Sequence, residues 1–555
     1  MLAIYLNTIF HERFKFSPLV LLIFIFQNSI ILSQVNQQWV ARYVSPAIGV
    51  CESNAIAVDD SGNVYVAGVS TDSGTSSDYT IVKYNSNGIQ QWEAKYNGSG
   101  NSYDFLYTIC IDDSSNVYVT GSTDEGPNLD VTTIKYNSNG VQEWIRRYNG
   151  TGNWDDIAEA IALDKFNNVY IAATCWEDNI TIPDKDIVIL KYNTSGIVQW
   201  IKKYNGTQDG WDAVHSMVLD SVGNVYVSGY TSNGFGKAED FITMKLDSGG
   251  SINWIATYNG PGNVLDEAVS IAMDGELNVF ITGFSYGISS DKDFATVKYN
   301  TNGVQQWVAR FNGSGNSIDI PVSIKTDGFG NAIVCGYTTG NAEDYTTIKY
   351  DANGNQHWVR IYDGNNADNP RDLAIDNSGN IYVTGYSSYP NTADDFLTIK
   401  YKPNGVQEWL IRYNGTGNLW DLGRAMVIDK YSNVYITGLS YGAGPSEDFA
   451  TVKYSQLVSV NQISNSISDK FILYPNYPNP FNPKTVISYK LAVGGAVTLK
   501  VYNALGSNVI DLIQKRQEAG DYSIEWDASD YPSGVYYCEL RVKEFIQTKR
   551  MLLIK

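Results

Sequence analysis

Gly62-Asn-Val-Tyr-Val-Ala-Gly68 is a short apolar run closed by glycine, and the chain rewrites it seven times. The further copies are Asn116–Gly121, Asn168–Ala173, Asn224–Gly229, Asn278–Gly283, Asn331–Gly336, Asn380–Gly385 and Asn433–Gly438. Each copy is followed by a segment such as Asp78-Tyr-Thr-Ile-Val-Lys-Tyr84, and then by one such as Trp92-Glu-Ala-Lys-Tyr-Asn-Gly98. The tryptophans that anchor the last segment stand at 39, 92, 144, 200, 254, 307, 358 and 409, a period of 51 to 56 residues. Several short strands per unit at that period predict an all-β chain built as a β-propeller.

One unit reads as four strands, each rich in Val, Ile, Tyr and Thr and bounded by turn residues. In the second unit they run over Tyr107–Asp112, Asn116–Gly121, Asp130–Asn137 and Val141–Tyr148. The intervening Asp/Ser/Asn/Gly clusters tolerate positive φ, so the four strands form an antiparallel meander. Val117 and Val119 on one face of the second strand and Tyr118 on the other are all apolar or aromatic. A sheet with two apolar faces needs a neighbour on each side, which requires the units to close in a ring. Complete sets begin near residues 54, 106, 157, 213, 267, 319 and 370, and an eighth, from about 422, stops after three strands at Tyr454. Its missing strand is Trp39-Val-Ala-Arg-Tyr43 at the far end of the chain. The expectation is an eight-bladed propeller over residues 34–454, tied shut by an N-terminal strand that leaves no open edge.

Ala55-Ile-Ala-Val-Asp59, Gly62–Gly68 and Asp293-Phe-Ala-Thr-Val-Lys-Tyr299 resemble the bacterial SBBP β-propeller repeat over about residues 37 to 454. That family is usually described as seven-bladed, so a count of eight departs from it.

Two series of aspartates accompany the repeat. Asp104, Asp156, Asp212, Asp266, Asp319, Asp368 and Asp421 each stand eight residues before the Asp that ends the first strand, and Asp78, Asp130, Asp186, Asp240, Asp293, Asp344, Asp395 and Asp448 open the third. Both series belong to one face of a meander. They suit either a cation or acid/base site or the capping of backbone N–H groups where loops enter strands. Their presence in nearly every unit favours capping. Function is then expected where units differ. Trp154, Trp211 and Trp420 precede the first aspartate series, and unit three has a longer second hairpin loop with Trp176, Glu177 and Asp178. Trp154, Trp176 and Trp211, from adjacent units, are the candidate ligand-binding residues: aromatics beside carboxylates suit stacking on sugar rings or docking a protein, although each could instead pack its own loop.

Catalytic signals are sparse. Gly283-Phe-Ser-Tyr-Gly287 and Gly438-Leu-Ser-Tyr-Gly442 match G-x-S-x-G, but no helix follows as a nucleophile elbow requires. Beyond the leader only His215 and His357 remain, in different units. Five cysteines lack CxxC or zinc-like spacing and read as isolated thiols. No catalytic set, metal site or cofactor is therefore expected.

The formal charge of −20 argues against a nucleic-acid partner. Arg13 and Lys15 followed by an apolar run from Pro18 to Leu32 read as a secretory signal peptide, residues 1–33, too short to span a bilayer and leaving a mature chain with no membrane span. After Tyr454 comes a polar linker, 455–470, and then short alternating strands that predict a small Ig-like β-sandwich over 471–555. That segment holds ten basic and eight acidic residues, so the acidity belongs to the propeller.

Pro478-Asn-Pro-Phe-Asn-Pro483, Val501-Tyr-Asn-Ala-Leu-Gly506, Ala519-Gly-Asp-Tyr522, Trp526-Asp527, Ser533-Gly-Val-Tyr536 and Lys549-Arg-Met-Leu-Leu-Ile-Lys555 resemble the type A C-terminal sorting domain of the type IX secretion system. A flagellar hook-capping Ig-like domain has a similar pattern. The resemblance implies recognition by the type IX machinery and passage to the medium or outer surface of a Gram-negative bacterium. Two functions fit: a secreted or surface binding module for a glycan or surface protein, or an extracellular polysaccharide-degrading enzyme using the acidic face.

Overall fold

The strands of this chain alternate side chains that are apolar on both faces, and neither face can remain in water. The computed structural model describes residues 35–45, 47–126, 128–177, 184–206, 210–232, 234, 236–340, 342–364, 366–389, 393–442, 446–456, 461–464, 471–543 and 545–555. Within them, eight four-stranded antiparallel sheets form the repeat region, and each is a blade. Blade 1 consists of Cys51–Val58, Val64–Thr71, Ser77–Tyr84 and Gln90–Tyr96, from the ring's inside outward. Blades 2 to 8 begin with the inner strands Phe105–Ile111, Ile157–Leu163, Asp212–Leu219, Asp266–Met273, Asp319–Thr326, Asp368–Ile375 and Asp421–Ile428. Each inner strand packs against the next, and that of blade 1 against that of blade 8, so the ring is closed. The second strand of blade 1 is buried along almost its whole length, as a sheet covered on both faces requires. In blade 2 all four strands lie within three residues of their expected bounds. Residues 1–33, read as the signal peptide, lie outside the described residues. No helix among the described residues is long and apolar enough to cross a membrane.

Blade 8 takes its outer strand from the other end of the chain: Val35–Val44 pairs antiparallel with Glu447–Gln456, Trp39 opposite Lys453 and Tyr43 opposite Phe449. The Arg42 guanidinium reaches Asp448 at 2.8 Å and Ser440 Oγ at 2.8 Å. On the other side of this seam Glu52 of blade 1 pairs with Arg424 of blade 8 at 2.8 Å.

The Trp period has a structural cause. Trp39, Trp92, Trp144, Trp200, Trp254, Trp307 and Trp358 each donate the indole N–H to a carbonyl in the next blade's outer hairpin turn, for example Trp92 to Ser138 at 3.1 Å. The turn glycine lies under the indole: at Gly140, with φ +79°, a Cβ would come within 2.6 Å of Trp92. Trp409 faces blade 8, where the third strand runs on without turning, and among the described residues its N–H has no such acceptor.

Every inner strand carries a β-bulge, and the bulged residues are Asn54, Tyr107, Glu159, His215, Val269, Val322, Arg371 and Arg424. A bulge breaks the period of two and re-aims one side chain. The glycine that closes the repeated motif lies opposite it: a Cβ at Gly121 would stand 2.0 Å from the Phe105 carbonyl, and at Gly283 2.1 Å from that of Glu267. Blade 3 alone has alanine there, Ala173.

The C-terminal segment forms two further four-stranded sheets enclosing Tyr489, Leu499, Trp526 and Leu540. A strand at Asn461–Ser464, inside the stretch read as linker, pairs with Gly520–Asp527 and covers what would be an open edge. Phe481 of the proline-rich run is buried against Trp526, ring centroids 5.4 Å apart, and its N–H donates to Leu552 of the terminal strand at 3.0 Å.

Candidate functional site

The first aspartate series stands where the outer strand of one blade leads into the inner strand of the next. Asp104 accepts the N–H groups of Gly98 and Asp124, both at 2.8 Å, and Asp156 those of Gly150 at 2.5 Å and Trp176 at 3.0 Å. The Gly-to-Asp bond recurs at Asp212, Asp266, Asp319, Asp368 and Asp421. These carboxylates are fasteners of the loops, as capping requires. Burial pushes Asp104, Asp212, Asp319 and Asp421 up to about 6 and Asp156 to about 7. Members of the second series meet basic residues of the outer strands, as Asp293 does Arg310 at 2.8 Å.

The three candidate tryptophans meet on this face. Trp154 is 57% exposed, and its ring centroid lies 6.2 Å from that of Trp176, the planes tilted by 43°. Its loop is pinned, since Asn128 donates to the Trp154 carbonyl at 2.8 Å and the Leu129 N–H to Asp155 at 2.9 Å. Trp176 and Trp211 are half-buried and share one cation: Lys185, opposite Trp176 in the same hairpin, holds its Nζ 5.0 Å from the Trp176 ring and 5.3 Å from that of Trp211. Trp420, 58% exposed, packs edge-on against Tyr441 in blade 8. Glu177, named beside Trp176 in the sequence, is tied down by Lys203, Tyr148 and Thr151, and these bonds hold its carboxyl below the usual range despite its burial. Asp178 lies outside the described residues.

Beside this cluster the inner wall carries groups that repeat reading passed over. His215, on the bulge of blade 4, has its Nε2 3.0 Å from Glu267 of blade 5, with Tyr230 at a ring distance of 5.7 Å. Burial alone would lower the His215 pKa, but the bond to Glu267 and the charges of Glu159, Glu267 and Glu239 outweigh it and raise it. Glu159 and Glu239 are themselves raised, first by burial and then by the charge of Glu267; the cations His215 and Lys185 act on them only through space. The signal available in sequence was position: the bulged residue stands three after the first-series aspartate, and it is there that the blades diverge.

Asp344, Asp363 and Asp368 bring oxygens within 4.8 Å of one another, a donor type that suits a hard cation. Here the repeat has Ile361 and Asp363 where blade 7 has Arg412 and Asn414, and Asp344 is raised to about 6 by burial and its two acidic neighbours. The serines of the two G-x-S-x-G matches, Ser285 and Ser440, are buried and accept hydrogen bonds from Arg310 and Arg42. An open groove of about 710 Å³ lies elsewhere, along the outer strand of blade 2 by Trp144 and Arg146. Arg146 spends its donors there on the carbonyls of Ser195 and Gly196 in the next blade, which makes the groove a packing seam.

Residues 38–74 and 357–388 match the family model described as Beta-propeller repeat (SBBP), and residues 476–555 match that of the Secretion system C-terminal sorting domain. The chain carries SBBP β-propeller repeats and a type IX secretion sorting domain. The sorting domain makes it a secreted or cell-surface protein. A curated relative, an uncharacterized WD repeat-containing protein of Acanthamoeba polyphaga mimivirus, is 23% identical over 427 residues, covering 61% of this chain and 29% of that protein. The chain thus spans less than a third of that relative's length. Among solved structures, a fungal alcohol oxidase of the AA5 family in complex with copper aligns over 94% of this chain and 100% of its own, with 10% identity and a TM-score of 0.39. PorZ, a surface component of the type-IX secretion system of Porphyromonas gingivalis, aligns over 94% and 100% with 12% identity and a TM-score of 0.28. At such scores neither says anything of what the SBBP propeller binds.

Proposed function

We propose that the chain is a surface binding module of a Gram-negative bacterium, with residues 1–33 as its signal peptide and 471–555 as its export address, whose propeller holds a glycan at Trp154, Trp176 and Trp211. The observation that carries this reading is the convergence of three tryptophans from adjoining repeats, Trp176 at the end of a strand where the sequence suggested a loop and Trp154 largely exposed, beside the side chains around His215. Capping bonds at Asp156 and Asn128 hold these loops before any ligand arrives, which limits the ordering cost of binding. A glycan array and titration calorimetry on the full chain test the reading. Each lost stacking contact costs about 0.5 to 1.5 kcal/mol beyond its buried area, so changing all three tryptophans to alanine weakens binding more than tenfold at a nearly constant melting temperature. Trp420→Ala, on blade 8, leaves affinity unchanged. A triple variant that melts far earlier and binds normally would falsify the assignment and make these tryptophans packing residues.

An enzymatic reading has one observation in its favour: Glu159 and Glu239, both with raised pKa values, stand near the same aromatic cluster as His215. Polysaccharide degradation assays run beside the array decide it. New reducing or unsaturated ends that vanish in Glu159→Gln would replace the binding-module reading with a catalytic one.

A further inference from the structure

The surroundings of His215, next to the tryptophans, are chemically lopsided. Glu159 comes from the bulge of blade 3, Glu239 from the third strand of blade 4 and Glu267 from the inner strand of blade 5, and all three act on His215. Only Glu267 reaches it, at 3.0 Å. Lys185 acts on Glu159 and Glu239 through space while its ammonium rests on the faces of Trp176 and Trp211. The protein thus already displays, with its own side chain, an ammonium seated on indole faces in reach of carboxylate charge. Cation–π attraction and carboxylate charge favour the same kind of guest. The long-range field agrees, since a chain of net charge −20 whose acidity lies in the propeller repels anionic glycans and draws cationic ones.

We infer that Glu159 and Glu239 set the ligand class of the aromatic site, which is an oligosaccharide bearing free amino groups, its sugar rings on the tryptophans and its ammonium groups toward these two carboxylates. The inference rests on the glycan-binding reading and deepens it. In this arrangement Lys185 is displaced from the rings by the ligand's own ammonium. The raised carboxyl groups of Glu159 and Glu239 fit the same picture, because a bound cation relieves the repulsion from Glu267 that contributes to them.

The test is calorimetry on the full chain at about pH 6, where a sugar amine is charged, with three hexamers of like linkage: glucosamine, N-acetylglucosamine and glucose. The glucosamine hexamer is expected to bind about tenfold tighter than the other two, the worth of one charge-assisted contact. Glu159→Gln with Glu239→Gln should erase that preference, and a melting temperature equal to that of the unaltered chain controls for folding. Equal binding of the three sugars, or a preference that survives the double variant, overturns the charge assignment while the tryptophan site stands. Failure of all three hexamers to bind while the array captures another glycan overturns the amino-sugar assignment alone, and failure of the array as well removes both readings. An oligolysine peptide that binds as tightly, with the same dependence on Glu159 and Glu239, overturns the sugar in favour of a basic protein segment.

Discussion

His215 shows how little a residue's type says until its neighbours are known. As one of two histidines beyond residue 33 it carries no motif, yet the bulge of blade 4 sets it against Glu267 and within the field of Glu159 and Glu239, and its pKa rises. The loop-capping aspartates move the same way: burial pushes Asp104, Asp212, Asp319 and Asp421 to about 6 and Asp156 to about 7. In each case the folded chain holds a proton more tightly than the unfolded one does. The stability this contributes is complete below the unfolded values and is lost as pH rises through the folded ones. The carboxyls with depressed values, such as Asp164 and Asp327, contribute in the opposite sense, but their loss falls in acid, below the usual carboxylate range. Calorimetric scans should therefore show a melting temperature several degrees higher at about pH 5 than at about pH 8. A flat profile across that interval, or a higher value on the alkaline side, would mean that the backbone N–H bonds keep these aspartates ionised.

At the level of elements, the repeated stretch is intelligible because each of its oddities does one physical job. The terminal glycine lets the inner strand bulge, the tryptophan donates across to the next blade's turn, and the turn glycine makes room for its ring. Those devices are local and repeat with the period, so eight units and a borrowed outer strand were readable from the sequence. The inner wall was not. A bulge adds one residue to a strand, so the alternation by which buried and exposed positions are read fails at Glu159 and His215. Lys185 was passed over for another reason: a lysine opening a strand reads as a solvated charge, and only the hairpin register that sets it opposite Trp176 shows the rings it covers. The closing strand offers the sharpest test at this scale. Val35–Val44 buries Ala41 and Tyr43 and supplies the Arg42 bonds to Asp448 and Ser440. Deleting residues 34–44 leaves Glu447–Gln456 as an open edge and removes the Trp39 bond to the turn of blade 1. The expected result is a sharply lower melting temperature with a tendency to self-associate, and an unchanged melting temperature would contradict closure by this strand.

The whole molecule joins two parts with separate hydrophobic cores and opposite charge. The sandwich closes around Trp526, Tyr489 and Leu499, all of its own segment, while the propeller's clusters lie between consecutive blades, as Tyr65, Ile81, Leu106 and Val119 do between blades 1 and 2. Among the described residues neither set of buried side chains draws on the other, so removing Phe471–Lys555 takes none of them from the blade-to-blade packing. The features that mark this segment as an export address are also integral to its fold: Phe481 of the proline-rich run is packed on Trp526 and bonded to the terminal strand through Leu552. Two variants separate address from ballast. Truncation after residue 470 should leave a propeller that melts as before but accumulates in the periplasm. Phe481→Ala, which opens a cavity in the sandwich core at a cost of about 3 to 5 kcal/mol, should lower surface display by unfolding the sorting domain alone. Fractionation of cells with antibody against the propeller reads both. Truncated chain recovered at normal levels on the surface would show that the address lies elsewhere in the protein, and normal display of the Phe481 variant would show that the machinery reads a linear signal at the C-terminus and has no need of the folded sandwich.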